Sequence, residues 1–184
     1  MQMSYYMLLP KEPYRILRNC PKCGSGSSFI STNNFRVNAN GNRIDIWLIY
    51  QCDKCRHTYN LTIYERIKPS FLEIEEYKAF LENDKELALK YGMNKRIFEA
   101  NRAQIDTSNI TYSLKKLKEG EKGKLVIKNP YGLKLRTDRL VAEILVISRS
   151  AAKELLKKED ASIQTYLGEE TILTFTVKTD RDNR

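Results

Sequence analysis

The 184-residue chain has 41% hydrophobic residues and 32 basic against 23 acidic side chains, a formal charge of +9. That supports a packed core, yet no apolar run approaches the ~20 residues needed to span a bilayer. A single histidine leaves almost no material for Ser-His-Asp or Cys-His catalysis. The charge is uneven: residues 1–70 carry ten basic and four acidic side chains, 71–123 carry ten of each, and 124–184 carry twelve and nine. Basic ends around a neutral middle favour phosphates or anionic lipid as partners.

Residues 1–10 lack the basic start, long apolar centre and small-residue cleavage site of a secretory signal, so a cytoplasmic location is expected. Cys20-Pro-Lys-Cys23 and Cys52-Asp-Lys-Cys55 account for all four cysteines. Without export signals they read as metal ligands in a reducing compartment rather than as disulfides. Each Cys-x-x-Cys lets two thiolates meet one ion. The segment between the pairs is long enough for a hairpin that returns the second pair to the first, the layout of a tetrahedral four-cysteine zinc site. Such a site is saturated, which predicts one structural Zn2+ per chain and no open position for a substrate. A thioredoxin-like redox pair would open a helix in a βαβ unit, whereas both pairs here sit in β-rich, turn-flanked sequence. His57 is read as a strand or surface residue rather than a ligand.

Gly24 suits the tight knuckle after Cys23, and Arg56 stands where a second glycine would be comfortable. Residues 24–28 have flexible-loop composition. Strands are predicted over 35–38, over 44–50 and over 58–64, the first two joined by the hairpin signal Asn40-Gly41. They interleave Arg36, Arg43, Trp47, Tyr50, Tyr59, Tyr64 and Arg66. Exposed aromatics can stack unpaired bases, but Trp47 is assigned to the small core, and the arginines are candidate phosphate contacts. This part resembles a zinc ribbon.

Ser70 and Glu73 form a capping box for a helix over 71–81, with Tyr77 and Leu81, at i, i+4, as core. Asp84 caps a second helix ending at Gly92, and Asn94 a third reaching about Gln104. This neutral stretch reads as a connector without chemistry. Residues 110–114 and 124–127 flank the turn-rich 119–123 and predict a hairpin. Helices over 138–146 and 148–159 follow, then a strand over 161–165, a turn at Gly168 and an alternating strand over 173–177.

Ser148 is placed as an N-cap whose helix start offers free amides and a positive dipole end to phosphate. Arg149, Lys153 and Lys157 line one side of that helix at i, i+4, i+8, while Ala152, Leu155 and Leu156 line the other. The run from Leu135-Arg136-Thr137-Asp138-Arg139 to Ile147-Ser148-Arg149-Ser150-Ala151-Ala152-Lys153 resembles the RNA-binding domain first recognised in ribosomal small-subunit protein S-four. The resemblance covers residues 133–177. It implies RNA contacts by Arg136, Ser148, Arg149, Ser150, Lys153 and Lys157, and Arg139 on the same helix pair is a further expected RNA contact. The family's glycine after the second helix is replaced around Glu159-Asp160.

The whole chain looks like a bacterial family catalogued as domain of unknown function 1062. Arg18-Asn19-Cys20-Pro21-Lys22-Cys23-Gly24, the run from Phe35 to Tyr50, and Tyr64-Glu65-Arg66 carry that likeness. It implies an architecture and no activity.

The expected fold is α+β: an antiparallel zinc ribbon over 1–69, a helical connector over 70–107, and an S-four-like domain over 108–184. Paired carboxylates, Gly-x-x-x-x-Gly-Lys-Ser/Thr and Gly-x-Gly-x-x-Gly are all missing. The expected function is non-enzymatic binding of structured RNA, ribosomal or transfer RNA among the candidates, without a membrane partner. The alternative is a protein-interaction adaptor docking through the ribbon and the helix pair.

Overall fold

The computed structural model describes residues 3–108, 110–120, 124–159 and 164–174. It is an α+β protein that divides into two compact units. One is Pro10–Thr111; the other joins the segment up to Leu9 to the chain from Tyr112 onward. The three consecutive domains expected from the sequence do not appear, because the helices expected to form a connector pack onto the sheet, and the first strand leaves it.

The unit Pro10–Thr111 is built on a five-stranded antiparallel sheet. Its strands are β2 (Arg15–Cys20), β3 (Gly24–Asn40), β4 (Arg43–Cys52), β5 (Thr58–Ile67) and β6 (Gln104–Asp106), in the order β5-β4-β3-β2-β6. The period-2 pattern of β4 decides its faces: Ile44, Ile46, Leu48, Tyr50 and Cys52 are buried on one side. Asn40-Gly41 forms the expected turn, with Asn40 opposite Arg43 and Gly41 at φ 62°. Residues 24–28, expected as loop, instead begin β3: they pair with β2 from Gly24 opposite Cys20 to Ser28 opposite Leu17. The ribbon thus has more than three strands.

Helices α1 (Ile74–Leu81), α2 (Lys85–Gly92) and α3 (Lys95–Ala100) cover the buried face. Asp84 and Asn94 cap α2 and α3 as expected, accepting from the amides of Leu87 and Arg96. The capping box does not form. Pro69–Phe71 makes a single 3-10 turn, and Glu73 is the N-cap with extended backbone and no side-chain cap bond. Starting later, α1 buries Phe80; Leu81 is 55% exposed and Tyr77 only half-buried. Phe80 meets Phe35 edge-on at 4.8 Å, with Tyr64 and Tyr91 completing an aromatic cluster. Helix α3 stops at Ala100, so Gln104 lies in a strand. Past its end, the Asn101 amide donates to the Thr62 carbonyl and accepts from the Thr62 amide, so it stands in for a neighbour along edge strand β5.

Gly92 ends α2 against Pro13. A Cβ there would lie 2.4 Å from Pro13 Cβ, and the Gly92 carbonyl already accepts from the Tyr14 amide at 2.9 Å. Gly92→Ala is therefore expected to cost about 1–3 kcal/mol through overpacking against a stiff ring, read as a lower denaturant midpoint at unchanged m-value.

In the other unit, β1 (Met3–Pro10), β7 (Tyr112–Gly120), β8 (Lys124–Lys128) and β9 (Glu170–Thr174) form a sheet ordered β7-β1-β8-β9. The hairpin expected between residues 110–114 and 124–127 is not made. The amino-terminal strand, not foreseen from the sequence, inserts between its two arms and runs parallel to β8, Tyr5 opposite Val126. Helices α4 (Thr137–Leu145) and α5 (Arg149–Glu159) pack on each other, as expected. Leu125, Ile127, Leu133, Leu140, Val141, Ala152 and Leu173 are among the core residues of this unit. The strand expected over 161–165 falls mostly outside the described residues, as do 175–177 of the last expected strand. The Gln164 and Thr165 carbonyls accept from Thr137, and Tyr166 bridges Arg136.

Candidate metal centre and basic helix pair

The knuckle of Cys20 and Cys23 links β2 to β3, and that of Cys52 and Cys55 links β4 to β5. Register places them at one end of the sheet, Cys20 beside Gly24 and Cys52 opposite Phe29. All four Sγ atoms lie within 4.8 Å of one another, Cys20 to Cys55 at 3.4 Å and Cys23 to Cys52 at 3.9 Å. A tetrahedron of Zn–S bonds of ~2.3 Å has edges of about 3.8 Å, so the donor set fits one ion. Both knuckles turn through positive φ, Gly24 at 88° and Arg56 at 62°. The arginine does glycine's work there, held by its amide to the Cys52 carbonyl. His57 is outside the cluster, as expected; its carbonyl accepts from the Cys52 amide.

The thiols differ in acidity. Burial opposes ionisation of Cys20, but the amides of Lys22 and Cys23 and the neighbouring thiols outweigh it and hold its thiol at about 7. Cys23 is pushed up to about 12, first by the Cys55 thiol, then by burial and the other cysteines. Four sulfurs this close lose their protons together only to a shared cation, and no described carboxylate or histidine joins them. The four cysteines are thus positioned to bind a metal ion, and an all-thiolate tetrahedron is compatible with zinc.

The second arrangement is centred on Asp138, buried at the start of α4 with its side chain 7% exposed. Arg149 Nε donates to Oδ2 at 2.8 Å, Arg136 Nε to Oδ1 at 3.0 Å, and Lys153 Nζ lies 4.0 Å away. One carboxylate therefore gathers three half-exposed cations and leaves two positive charges in excess. Ser148 caps α5 as expected, accepting from the Ala151 amide at 3.1 Å. Arg149 and Ser150 open the exposed first turn of α5. Lys157 stands apart, 3.5 Å from Glu154. Arg139 points elsewhere: its charge acts on Tyr112, whose hydroxyl donates to Glu143 at 2.6 Å. The Arg-x-Asp spacing was visible in the sequence, but not that the aspartate is the hub.

The aromatics of the sheet are mostly spent on structure. Tyr50 is fully buried and Tyr64 belongs to the cluster with Phe80. Trp47, assigned to the core from the sequence, lies instead half-buried on the opposite face, because it is one residue out of phase with Ile46 and Leu48. Arg36 sits over its ring at 5.9 Å.

Burial would raise the Asp138 carboxyl, but the guanidinia of Arg149 and Arg136 overcome it and hold it down at about 2. A carboxyl depressed by folding contributes stability above its unfolded value near 4, lost as pH falls toward the folded one. Asp138→Asn is expected to destabilise this unit by about 1–3 kcal/mol near neutrality. The deficit should shrink as pH drops from about 4 toward 2, measured by hydrogen exchange at Leu140 and Val141.

The family model described as protein of unknown function (DUF1062) matches residues 37–166. The match takes in Cys52, Cys55 and both helices of the basic pair, and begins beyond Cys20 and Cys23. No curated protein and no solved structure matches the chain significantly.

Proposed function

This chain belongs to the family described as protein of unknown function (DUF1062), and we propose for it, from its two sites, non-enzymatic binding of structured RNA. The phosphate backbone is taken by the helix pair, with Arg136, Arg149, Lys153, Ser148 and Ser150 as the contacts. The ion on Cys20, Cys23, Cys52 and Cys55 is a structural zinc, one per chain. The observation that carries the reading is the convergence of Arg136, Arg149 and Lys153 on Asp138 beside the capped start of α5. The buried carboxylate fixes the guanidinia without neutralising them, and the first-turn amides add donors suited to an oxyanion. A shape-and-phosphate reader of this kind gains affinity by releasing counterions, so binding should fall steeply with salt. The test is a titration of the full, metal-loaded chain with ribosomal RNA fragments and with transfer RNA across a salt series. A log-log slope near zero, or binding no tighter than that of an unrelated protein of equal charge, defeats the reading.

Among the described residues no helix is long and apolar enough to cross a membrane. A second reading, a protein-interaction adaptor, is favoured by one feature. Phe71, in the 3-10 turn before α1, and Ile74 and Leu81, seven residues apart on one face of α1, are 77%, 73% and 55% exposed. It predicts partners that survive high salt and purified protein free of nucleic acid.

A further inference from the structure

The sheet unit contains a cleft that neither site uses. It is walled by Arg18 and Asn19 at the end of β2, Tyr59 of β5, and Asn101, Arg102 and Gln104 beyond α3, with no carboxylate in its lining. Arg18 lies over the Tyr59 ring, its guanidinium carbon 3.7 Å from the centroid. The Arg18 guanidinium also donates to the Tyr59 hydroxyl, and the several N–H donors of a guanidinium leave others for an oxyanion. Neither Arg18 nor Arg102 has an ion-pair partner among the described residues. Arg102 also holds an unfavourable backbone. It occupies the left-handed position after α3, at φ 51°, its amide bonded to Glu99 and that of Ala103 to Phe98. Glycine is the usual residue there; this chain has an arginine instead, and it lines the cleft.

We propose that this cleft binds an oxyanion, a phosphate group held between Arg18 and Arg102. The phosphate belongs either to an RNA backbone or to a small phosphorylated ligand; the chemistry of capture is the same. The site is in the other unit from the helix pair and stands even if α5 binds nothing.

The test uses the full, metal-loaded chain and follows the arginine Nε–Hε resonances by NMR. Inorganic phosphate is expected to shift Arg18 and Arg102 saturably while leaving Arg36 and Arg43 in place. Arg102→Gly separates binding from folding, since glycine suits the left-handed backbone. Phosphate affinity should fall at least about fivefold, while the unfolding midpoint stays equal or rises. Arg18→Met, which keeps an apolar contact on Tyr59, should weaken binding similarly. Absence of any saturable shift, or shifts that persist in both variants, overturns the proposal. Adenosine monophosphate and a single-stranded oligoribonucleotide then identify the source. Equal affinity for the two points to a small ligand, and tighter, salt-sensitive binding of the oligomer points to RNA.

Discussion

Stripping the metal with a strong chelator is expected to lower the unfolding midpoint of the Pro10–Thr111 unit by more than ~10 °C. The apparent binding energy of structural zinc, ~10–16 kcal/mol, matches or exceeds the net stability of a whole domain, ~5–15 kcal/mol. For a domain of about this size, each 1 kcal/mol shifts the midpoint by roughly 4–8 °C. Without the ion the cysteine knuckles retain backbone bonds such as Arg56 to Cys52 and Cys52 to His57, too few to hold two tight turns. The far end of the sheet keeps its own core, with Phe35 on Phe80 and the Tyr64 and Tyr91 hydroxyls 2.9 Å apart. Loss of metal should therefore open the knuckle end first, seen as rapid amide exchange at Cys52 and Arg56 while Leu48 stays protected. Cys52→Ser should reproduce this, and elemental analysis should find close to one zinc per folded chain. A folded, metal-free protein with an unchanged midpoint would falsify the structural role.

Neutralising Arg149 and Lys153 together, as Arg149→Gln and Lys153→Gln, is expected to weaken RNA binding at least about tenfold and reduce the salt slope by about two. Neutral variants serve better than charge reversal for a structural reason. Arg149 donates to Asp138 at 2.8 Å and Lys153 lies 4.0 Å from the same carboxylate. A glutamate at either position would face a buried like charge, and loss of fold would mimic loss of binding. With glutamine the Arg136 pair remains to hold Asp138. Lys157→Gln is the internal control, because that side chain lies 3.5 Å from Glu154 and its charge is already compensated. An unchanged slope in the double variant removes the helix pair as the RNA contact.

Local signals carried far. Asn40-Gly41, the caps Asp84 and Asn94, and Ser148 each act through a bond to a residue at most three positions away, so a linear reading finds them. The Ser70–Glu73 pair is equally local and still fails, because Pro69 begins a 3-10 turn that leaves Glu73 extended, and no reciprocal cap can close. The strand 44–50 was legible, but the face assigned to Trp47 was not, because alternation gives two faces without saying which one the helices cover. The acidic hub was half legible, its spacing visible and its burial not.

The sequence by itself determined the candidate metal ligands, because a short bite, two pairs and no surplus cysteine single out the four thiols that the fold gathers. It also determined the helix pair with its basic side, since that pattern is written in a period of 3.6 residues. Only the tertiary structure decided that β1 separates β7 from β8, that the middle helices belong to the sheet, and that Arg136, Arg149 and Lys153 meet on Asp138. Those outcomes depend on which buried surfaces fit together across long stretches of chain. Periodicity and spacing report a residue's neighbours along the chain, not its partners across the fold.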